Sequence, residues 1–271
     1  MRNITLKILR GNWILILLVS VSITNQVLAQ SELNELTVDR PGIAEAPFTV
    51  SPGTYQFEVG FDYFKRYNGE LYHLPTALFR TGISKRAEVR VSSRQLIDRT
   101  EAREFNGISP LTVGVKMHII KQREWIPETD ILANVIVPVG SSVQAKYLGP
   151  EILLLFENDF YPNTAINYNI GYLWDGNRGK GVFTVSLCFN YLPTERIGLF
   201  IEYFDYLPDR WPGEQGVDGG ITYLLRSKLQ LDLSAGISQF EQENNFFISS
   251  GFSFRLVRNK KELSRQMLSS N

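Results

Sequence analysis

The chain is poor in the residues that form disulfides and metal sites. Cys188 is the only cysteine, and His73 and His118 are the only histidines among 271 residues. A single cysteine excludes a disulfide within the chain, and two histidines far apart in sequence argue against a zinc site of the Cys/His type. We therefore predict that the protein binds no metal and no cofactor.

The sequence also lacks an excess of charge of either sign. Its 28 basic residues are balanced by 28 acidic residues, so the formal net charge is zero. A strongly basic surface of the kind that neutralises phosphates is therefore not expected. We predict that nucleic acid is not a partner.

A long apolar run occurs only near the N-terminus. Three basic residues precede the apolar segment 13–21, and Ala29 supplies a small residue at a cleavage point. This order is typical of a secretory signal peptide, which we predict for residues 1–29. The alternative is an N-terminal membrane anchor, for which the apolar run is short. No later segment has 18 consecutive apolar residues, so no transmembrane helix is expected after residue 29.

What the sequence does contain is the alternation of β-strands. In residues 54–65 the odd positions are mostly aromatic or aliphatic, and the even positions are mostly polar or charged. Successive side chains of a strand point to opposite faces, so one face would be apolar and the other polar. The pattern runs for about ten residues, which is enough to cross a bilayer at a tilt.

The alternation recurs along the chain, and we count twelve candidate strands. They lie near residues 54–65, 71–82, 86–96, 109–121, 129–139, 149–157, 164–174, 181–191, 195–204, 216–225, 228–238 and 245–256. The second of them is mixed in pattern. A helix would spread these apolar residues around its whole circumference. A soluble β-sandwich would alternate in the same way, so alternation alone does not select a membrane protein.

Three further features favour a transmembrane barrel. Aromatic residues lie near strand ends, charges lie at mid-strand on the opposite face, and most connections alternate between short and long. We predict an all-β fold, a transmembrane antiparallel β-barrel of about 12 strands in an up-and-down meander, over residues 54–256. An extended N-terminal lead-in (30–53) precedes it, and a charged periplasmic tail (257–271) follows it. Residues 39–41 of the lead-in either plug the periplasmic mouth or belong to an unattached leader.

Charged residues on the polar faces are candidates for the lumen and for contact with a permeating solute. They are Glu58, Asp62, Arg80, Glu88, Arg90, Arg94, Lys116, His118, Glu151, Glu202, Asp218 and Asp232. The alternative is that these charges pair with one another and stabilise the barrel wall, because buried charges need partners.

Several short segments, taken in order, resemble a known family. They include Asp39–Gly42, Gln56–Gly60, Leu74–Ser84, Val137–Gly140 and Asp218–Leu224. Together they resemble the outer-membrane transporter family named for the MetA pathway of phenol degradation, roughly over residues 38–256. The resemblance implies a barrel that passes small, often aromatic or hydrophobic compounds.

We therefore predict a channel or transporter in the bacterial outer membrane for passive passage of small compounds. Its predicted partners are outer-membrane lipid, a small-molecule solute and the barrel-insertion machinery. One alternative is a structural or adhesive barrel without transport. A second is a lipid hydrolase, since outer-membrane phospholipases also use twelve strands. Neither histidine lies beside a recognisable nucleophile motif, so we predict that the protein is not an enzyme.

Overall fold

The computed structural model describes residues 36–100, 104–137, 146–174, 176, 180–209 and 212–257. The predicted signal peptide lies outside the described residues, and so does the predicted C-terminal tail beyond Val257. Residues 36–53 of the lead-in are described. Among the described residues, no helix is both long enough and apolar enough to cross a membrane.

The described residues form thirteen antiparallel β-strands. They are β1 (Thr54–Arg66), β2 (Gly69–Ser84), β3 (Ala87–Thr100), β4 (Glu104–Ile108), β5 (Leu111–Ile120), β6 (Glu128–Val137), β7 (Gly149–Tyr161), β8 (Thr164–Trp174), β9 (Gly181–Tyr191), β10 (Ile197–Pro208), β11 (Glu214–Arg226), β12 (Leu229–Phe240) and β13 (Glu243–Val257). β1 pairs with β2 on one side and with β13 on the other. The sheet therefore closes on itself as a barrel.

Two of the strands occupy one position in the barrel wall. β4 and β5 both pair with β3, β4 along Gln95–Arg99 and β5 along Ala87–Ser92. Pro110 lies between them and has no N–H to donate to the ladder, so the strand is interrupted there. The wall thus has twelve strand positions, as predicted. The prediction of one strand near 109–121 was wrong at its start, because residues 104–108 already pair with an extended β3.

The mixed pattern of the second strand has a local cause. The register of β2 shifts between His73 and Thr76 against β3, and a matching shift occurs against β1. His73 and Thr76 both lie opposite inward positions of β1, Asp62 and Gly60, although they are three positions apart in sequence and strict alternation would place them on opposite faces. Leu74 and Pro75 form the bulge between them, so the period of two is broken at that point.

The two faces of the barrel have opposite chemistry. Outward residues are apolar and exposed, for example Ile201 at 62% and Leu233 at 49%. Inward residues are polar or charged and buried, with Arg80, Glu88 and Lys116 all 0% exposed. A soluble domain distributes its side chains the other way round. A membrane-spanning barrel with a polar interior has this distribution, which confirms the predicted fold class and matches the predicted location.

Tight turns occur at both ends of the barrel. Residues 85–86 and 227–228 join strands at the end where the lead-in meets β1, and residues 67–68 and 241–242 join strands at the opposite end. Glu241 and Gln242 both have positive φ angles, of 52° and 72°. Such a pair of angles is typical of a two-residue hairpin turn. The alternation of short and long connections indicated by the sequence therefore does not hold at residues 67–68 and 241–242.

An arginine on the outward face should destabilise the barrel more when it lies near the middle of the bilayer than when it lies near the bilayer surface. Leu233 is near the middle of β12 and Gln239 near its end, and both alternate outward. We expect Leu233→Arg to lower the free energy of unfolding by about 2–4 kcal/mol, and Gln239→Arg by about 0–1 kcal/mol. Urea unfolding in lipid vesicles, followed by tryptophan fluorescence, measures both. Equal effects of the two variants would contradict a membrane-facing surface.

Candidate functional site

The lead-in lies inside the barrel. It donates or accepts hydrogen bonds with side chains of β1, β2, β3, β5, β8, β10, β12 and β13. Val50 is 1% exposed, and its N–H donates to Glu88 over 2.6 Å. An unattached leader is therefore not observed for residues 36–53. The segment fills part of the lumen and separates the remaining space into a large and a small cavity.

Asp39 is the most heavily paired residue of the lead-in. Its carboxylate lies 2.9 Å from Arg80, 3.2 Å from Arg90 and 3.1 Å from Lys116. These cations come from β2, β3 and β5, so one carboxylate links three strands. Burial raises the pKa of Asp39, but the positive charges of Arg80, Lys116 and Arg90 outweigh it and hold the pKa well below its usual range. Asp39 therefore stays ionised at neutral pH.

Three more carboxylates complete this cluster, which we call the clasp: Asp39, Glu45, Glu58, Arg80, Glu88, Arg90 and Lys116. Glu45 accepts two hydrogen bonds of 2.7 Å from Arg90. Glu58 and Glu88 lie 3.0 Å and 2.8 Å from Arg80. Each cation of the clasp thus has at least two carboxylate neighbours. This satisfies the requirement that a buried charge be paired.

Arg40 joins the lead-in to the strands on the other side of β2, namely β1, β13 and β12. Its guanidinium lies 3.2 Å from Asp232 and 3.7 Å from Asp62, and it donates to Ser249 over 2.8 Å. The group passes directly over Gly60 and Gly251, where a Cβ would collide with it. Glycine at these two positions therefore gives the guanidinium the space to reach β12 and β13.

Backbone N–H groups of the lead-in bind the carboxyl group of Glu202 on β10. The N–H of Ile43 donates to Glu202 over 2.7 Å, and the N–H of Ala44 donates to the other oxygen of the same carboxylate. Asp218 lies directly opposite Glu202 in the β10–β11 ladder. Two carboxylates are thus side by side on the inner wall.

A cavity of about 760 Å³ lies on one side of the lead-in. Its floor is formed by Arg40–Ile43, and it extends to the turn residues Tyr67 and Glu241 at the far end of the barrel. Aromatic side chains cover much of its wall: Phe64, Phe204, Tyr206, Phe240 and Phe247. A smaller space of about 100 Å³ lies beside Glu45 and Glu151, and Ile43 and Tyr206 border both spaces.

The twelve candidate residues from the sequence all lie on the inner face, but in different surroundings. Glu58, Arg80, Glu88, Arg90 and Lys116 belong to the clasp, and Asp62, Asp232 and Glu202 bind other parts of the lead-in. Arg94 and Asp218 line the large cavity. Glu151 accepts from Asn134 over 2.7 Å, and His118 lies 2.9 Å from Asp130. Their role in permeation remains a prediction.

Sequence reasoning did not assign Asp39, Arg40 and Glu45 to the lumen set. Alternation marks inward residues only within strands, and these three lie in a proline-rich segment without alternation. A usable signal was the grouping of Arg80, Arg90 and Lys116 on neighbouring strands, because three inward cations require nearby anions. Among the described residues, no three His, Cys, Asp or Glu side chains are arranged as metal ligands.

Removal of the Asp39 carboxylate should take away the one anion that all three cations of the clasp contact. We expect Asp39→Ala to lower the free energy of unfolding by about 3–5 kcal/mol, because a buried ion pair is broken. Glu104→Ala is the control, since the Glu104–Arg99 pair is 62% and 54% exposed and should contribute less than about 1 kcal/mol. Urea unfolding measures both, and limited proteolysis should cut the lead-in only in Asp39→Ala. Equal stability of the two variants would contradict the clasp.

The barrel is similar in fold to solved outer-membrane proteins. An outer-membrane channel from Pseudomonas putida F1 matches with a TM-score of 0.58 and 10% identity, over 80% of this chain and 99% of that one. The NanC porin matches with a TM-score of 0.52 and 10% identity, over 74% of this chain and 100% of that one. At this level of identity the likeness establishes the fold alone.

Sequence comparison identifies the family. No curated protein matches the chain significantly. A family model described as "Putative MetA-pathway of phenol degradation" matches residues 38–256, which include the lead-in from Val38 onward and all but the last residue of the barrel. The resemblance found in the short segments is therefore confirmed, and the chain belongs to this family.

Proposed function

We propose that this protein is a channel of the bacterial outer membrane for the passive passage of small compounds. The observation that carries the proposal is the cavity of about 760 Å³ inside a barrel whose outer face is apolar. A barrel of twelve strands is wider than those whose interior is filled by side chains and narrower than the large porins. A small solute is the cargo that fits this size.

The chemistry of the cavity favours solutes with an aromatic or apolar part. Phe64, Phe204 and Phe247 form one side of it, while Asp62, Arg94 and Asp218 supply charge. Apolar walls with a few polar groups are typical of small-molecule sites. The P. putida protein is described as an outer-membrane channel, which supports the same role here. Outer-membrane lipid and the barrel-insertion machinery are the further partners that this role requires.

The lead-in determines the route through the barrel. Ile43 and Tyr206 border both the large cavity and the small one, so we propose that a solute passes between these two side chains. The clasp then holds the lead-in in place while Arg94 and Asp218 face the solute. Most of the charged candidates would in this way act on permeation indirectly, through the position of the lead-in.

The alternatives predict different behaviour. A structural or adhesive barrel would pass neither ions nor solutes. A hydrolase acting on membrane lipid would need a histidine on the outward face, whereas His73 lies 3.4 Å from Asp62 and His118 lies 2.9 Å from Asp130, both on the inward side. A phospholipase assay in detergent tests that alternative, and hydrolysis would contradict the proposal.

Removal of the lead-in should widen the conducting path. We expect a chain that begins at Ser51 to show a single-channel conductance several-fold above that of a chain that begins at Leu36, which retains the lead-in. Planar-bilayer recordings measure the conductance, and swelling of liposomes with sugars, carboxylates and phenolics measures solute passage. Equal conductance would show that current does not pass through the lumen. Absence of both conductance and swelling in both chains would favour the structural barrel.

The charge of Arg94 should influence ion selectivity. Arg94 lines the cavity and is exposed there, whereas Lys116 is buried in the clasp. We expect Arg94→Ala to shift the reversal potential in a KCl gradient toward cation preference, because a positive charge is lost from the conducting path. Arg99→Ala is the control, since Arg99 is an exposed residue already paired with Glu104. An unchanged reversal potential would show that Arg94 does not face the ions that pass through the barrel.

A further inference from the structure

Asp218 differs from the other acidic residues that line the large cavity. It is only 5% exposed, and its one hydrogen-bonding neighbour among the described residues is another acidic group, the carboxyl of Glu202. Asp62, by contrast, accepts from Ser249 over 2.6 Å, and Glu214 accepts from Ser238 over 2.6 Å. Two acidic groups side by side can share one proton, but the pair keeps a buried negative charge, which requires a cation.

The residues around Asp218 do not supply the missing cation. The group opposite is the carboxyl of Glu202, whose oxygens already accept from the N–H groups of Ile43 and Ala44. Arg40 on the cavity floor is held by Asp62 and Asp232. Arg94 lies on β3, which is on the far side of the barrel from β11. Negative charge therefore accumulates beside Asp218.

Aromatic rings surround the same position. Phe204 lies over Gly216 and Phe247 lies over Gly236, where a Cβ would collide with each ring. The Cβ of Asp218 is also directly against Gly236. The two rings are 6.2 Å apart between centroids, and Phe64 and Tyr206 extend the row at 5.8 Å and 5.9 Å. We call Phe64, Phe204, Tyr206 and Phe247 the aromatic arc.

We propose that Asp218 and the aromatic arc form a binding site for an organic cation, an ammonium group carried on an aromatic or alkyl body. The carboxylate of Asp218 receives the ammonium group, and the arc receives the apolar body. Aromatic faces also attract cations directly, so both parts of the site favour the same ligand class. A volume of about 760 Å³ is sufficient for such a ligand. The inference rests on the proposed channel function and specifies the class of solute.

Three probes with one body and different head groups test the site: phenylethylammonium, 2-phenylethanol and phenylacetate. Calorimetric titration of the full barrel in non-ionic detergent measures their affinities. We expect the ammonium compound to bind about tenfold or more tightly than the alcohol, and phenylacetate to bind most weakly, because only the ammonium group pairs with Asp218. This comparison uses the unaltered protein, so it does not depend on the folding of any variant.

Two variants with matched chemistry complete the test. Asp218→Asn keeps the shape of the side chain and removes the charge, and it should abolish the preference for the ammonium compound. Glu214→Gln is the control, since Glu214 lines the same cavity but already accepts from Ser238, and the preference should stay within about twofold of the unaltered protein. Electrophoretic mobility before and after heating verifies that each variant forms the barrel.

Equal binding of the ammonium compound and the alcohol by the unaltered protein would overturn the proposal. So would an Asp218→Asn variant that retains the preference. Either result would indicate that Asp218 carries a proton rather than binding a cation. Single-channel conductance is measured on the same samples. A barrel that conducts ions without preferring the ammonium compound overturns only the cation site, whereas a barrel that neither conducts nor supports swelling overturns the channel itself.

Discussion

The position of the lead-in depends on the pairing of Asp39 with Arg80, Arg90 and Lys116 inside the barrel. Without Asp39 and Glu45 of the lead-in, Arg90 and Lys116 would lose the carboxylates with which they form ion pairs, and Arg80 would keep only Glu58 and Glu88. The cost of burying these cations makes an anion at this position favourable by several kcal/mol. Because Asp39 is followed directly by Arg40, the same dipeptide reaches cations on one part of the wall and anions on another. Farther along, the N–H groups of Ile43 and Glu45 donate to Glu202 of β10 and Asn169 of β8, so the chain is held across the lumen rather than along one side of it.

This arrangement is possible because the barrel has exchanged the usual places of polar and apolar residues. The outward faces of the strands contact lipid, so their apolar residues need no internal core to cover them. The interior is then available for charge, provided that every charge has a partner. In the clasp that condition is met by three strands and the lead-in together. The stability of the interior therefore depends on a segment that belongs to no strand.

The sequence predicted the outer surface better than the inner one. Alternation such as that of Leu229–Ile237 assigns each residue to a face and locates the strand, because the rule is local. It failed at Leu74 and Pro75, where a bulge changes the parity, and around Pro110, where two strands share one position in the wall. The clasp was still harder to predict from the sequence. Asp39 and Lys116 are 77 residues apart in sequence, and no local pattern indicates that they touch. The absence of a cation beside Asp218 is likewise a property of the three-dimensional arrangement, which no local pattern indicates.

Glycines on two neighbouring strands, β11 and β12, widen the large cavity. Phe204 and Phe247 reach over Gly216 and Gly236, which have no side chains to block the rings. A methyl group at either glycine would tilt a ring toward the barrel axis. The width of the large cavity is therefore set in part by two backbone positions that do not line it. In the proposed channel, a change at either glycine would alter the size of molecule that fits, with the rings and the nearby carboxylate left in the sequence as they are.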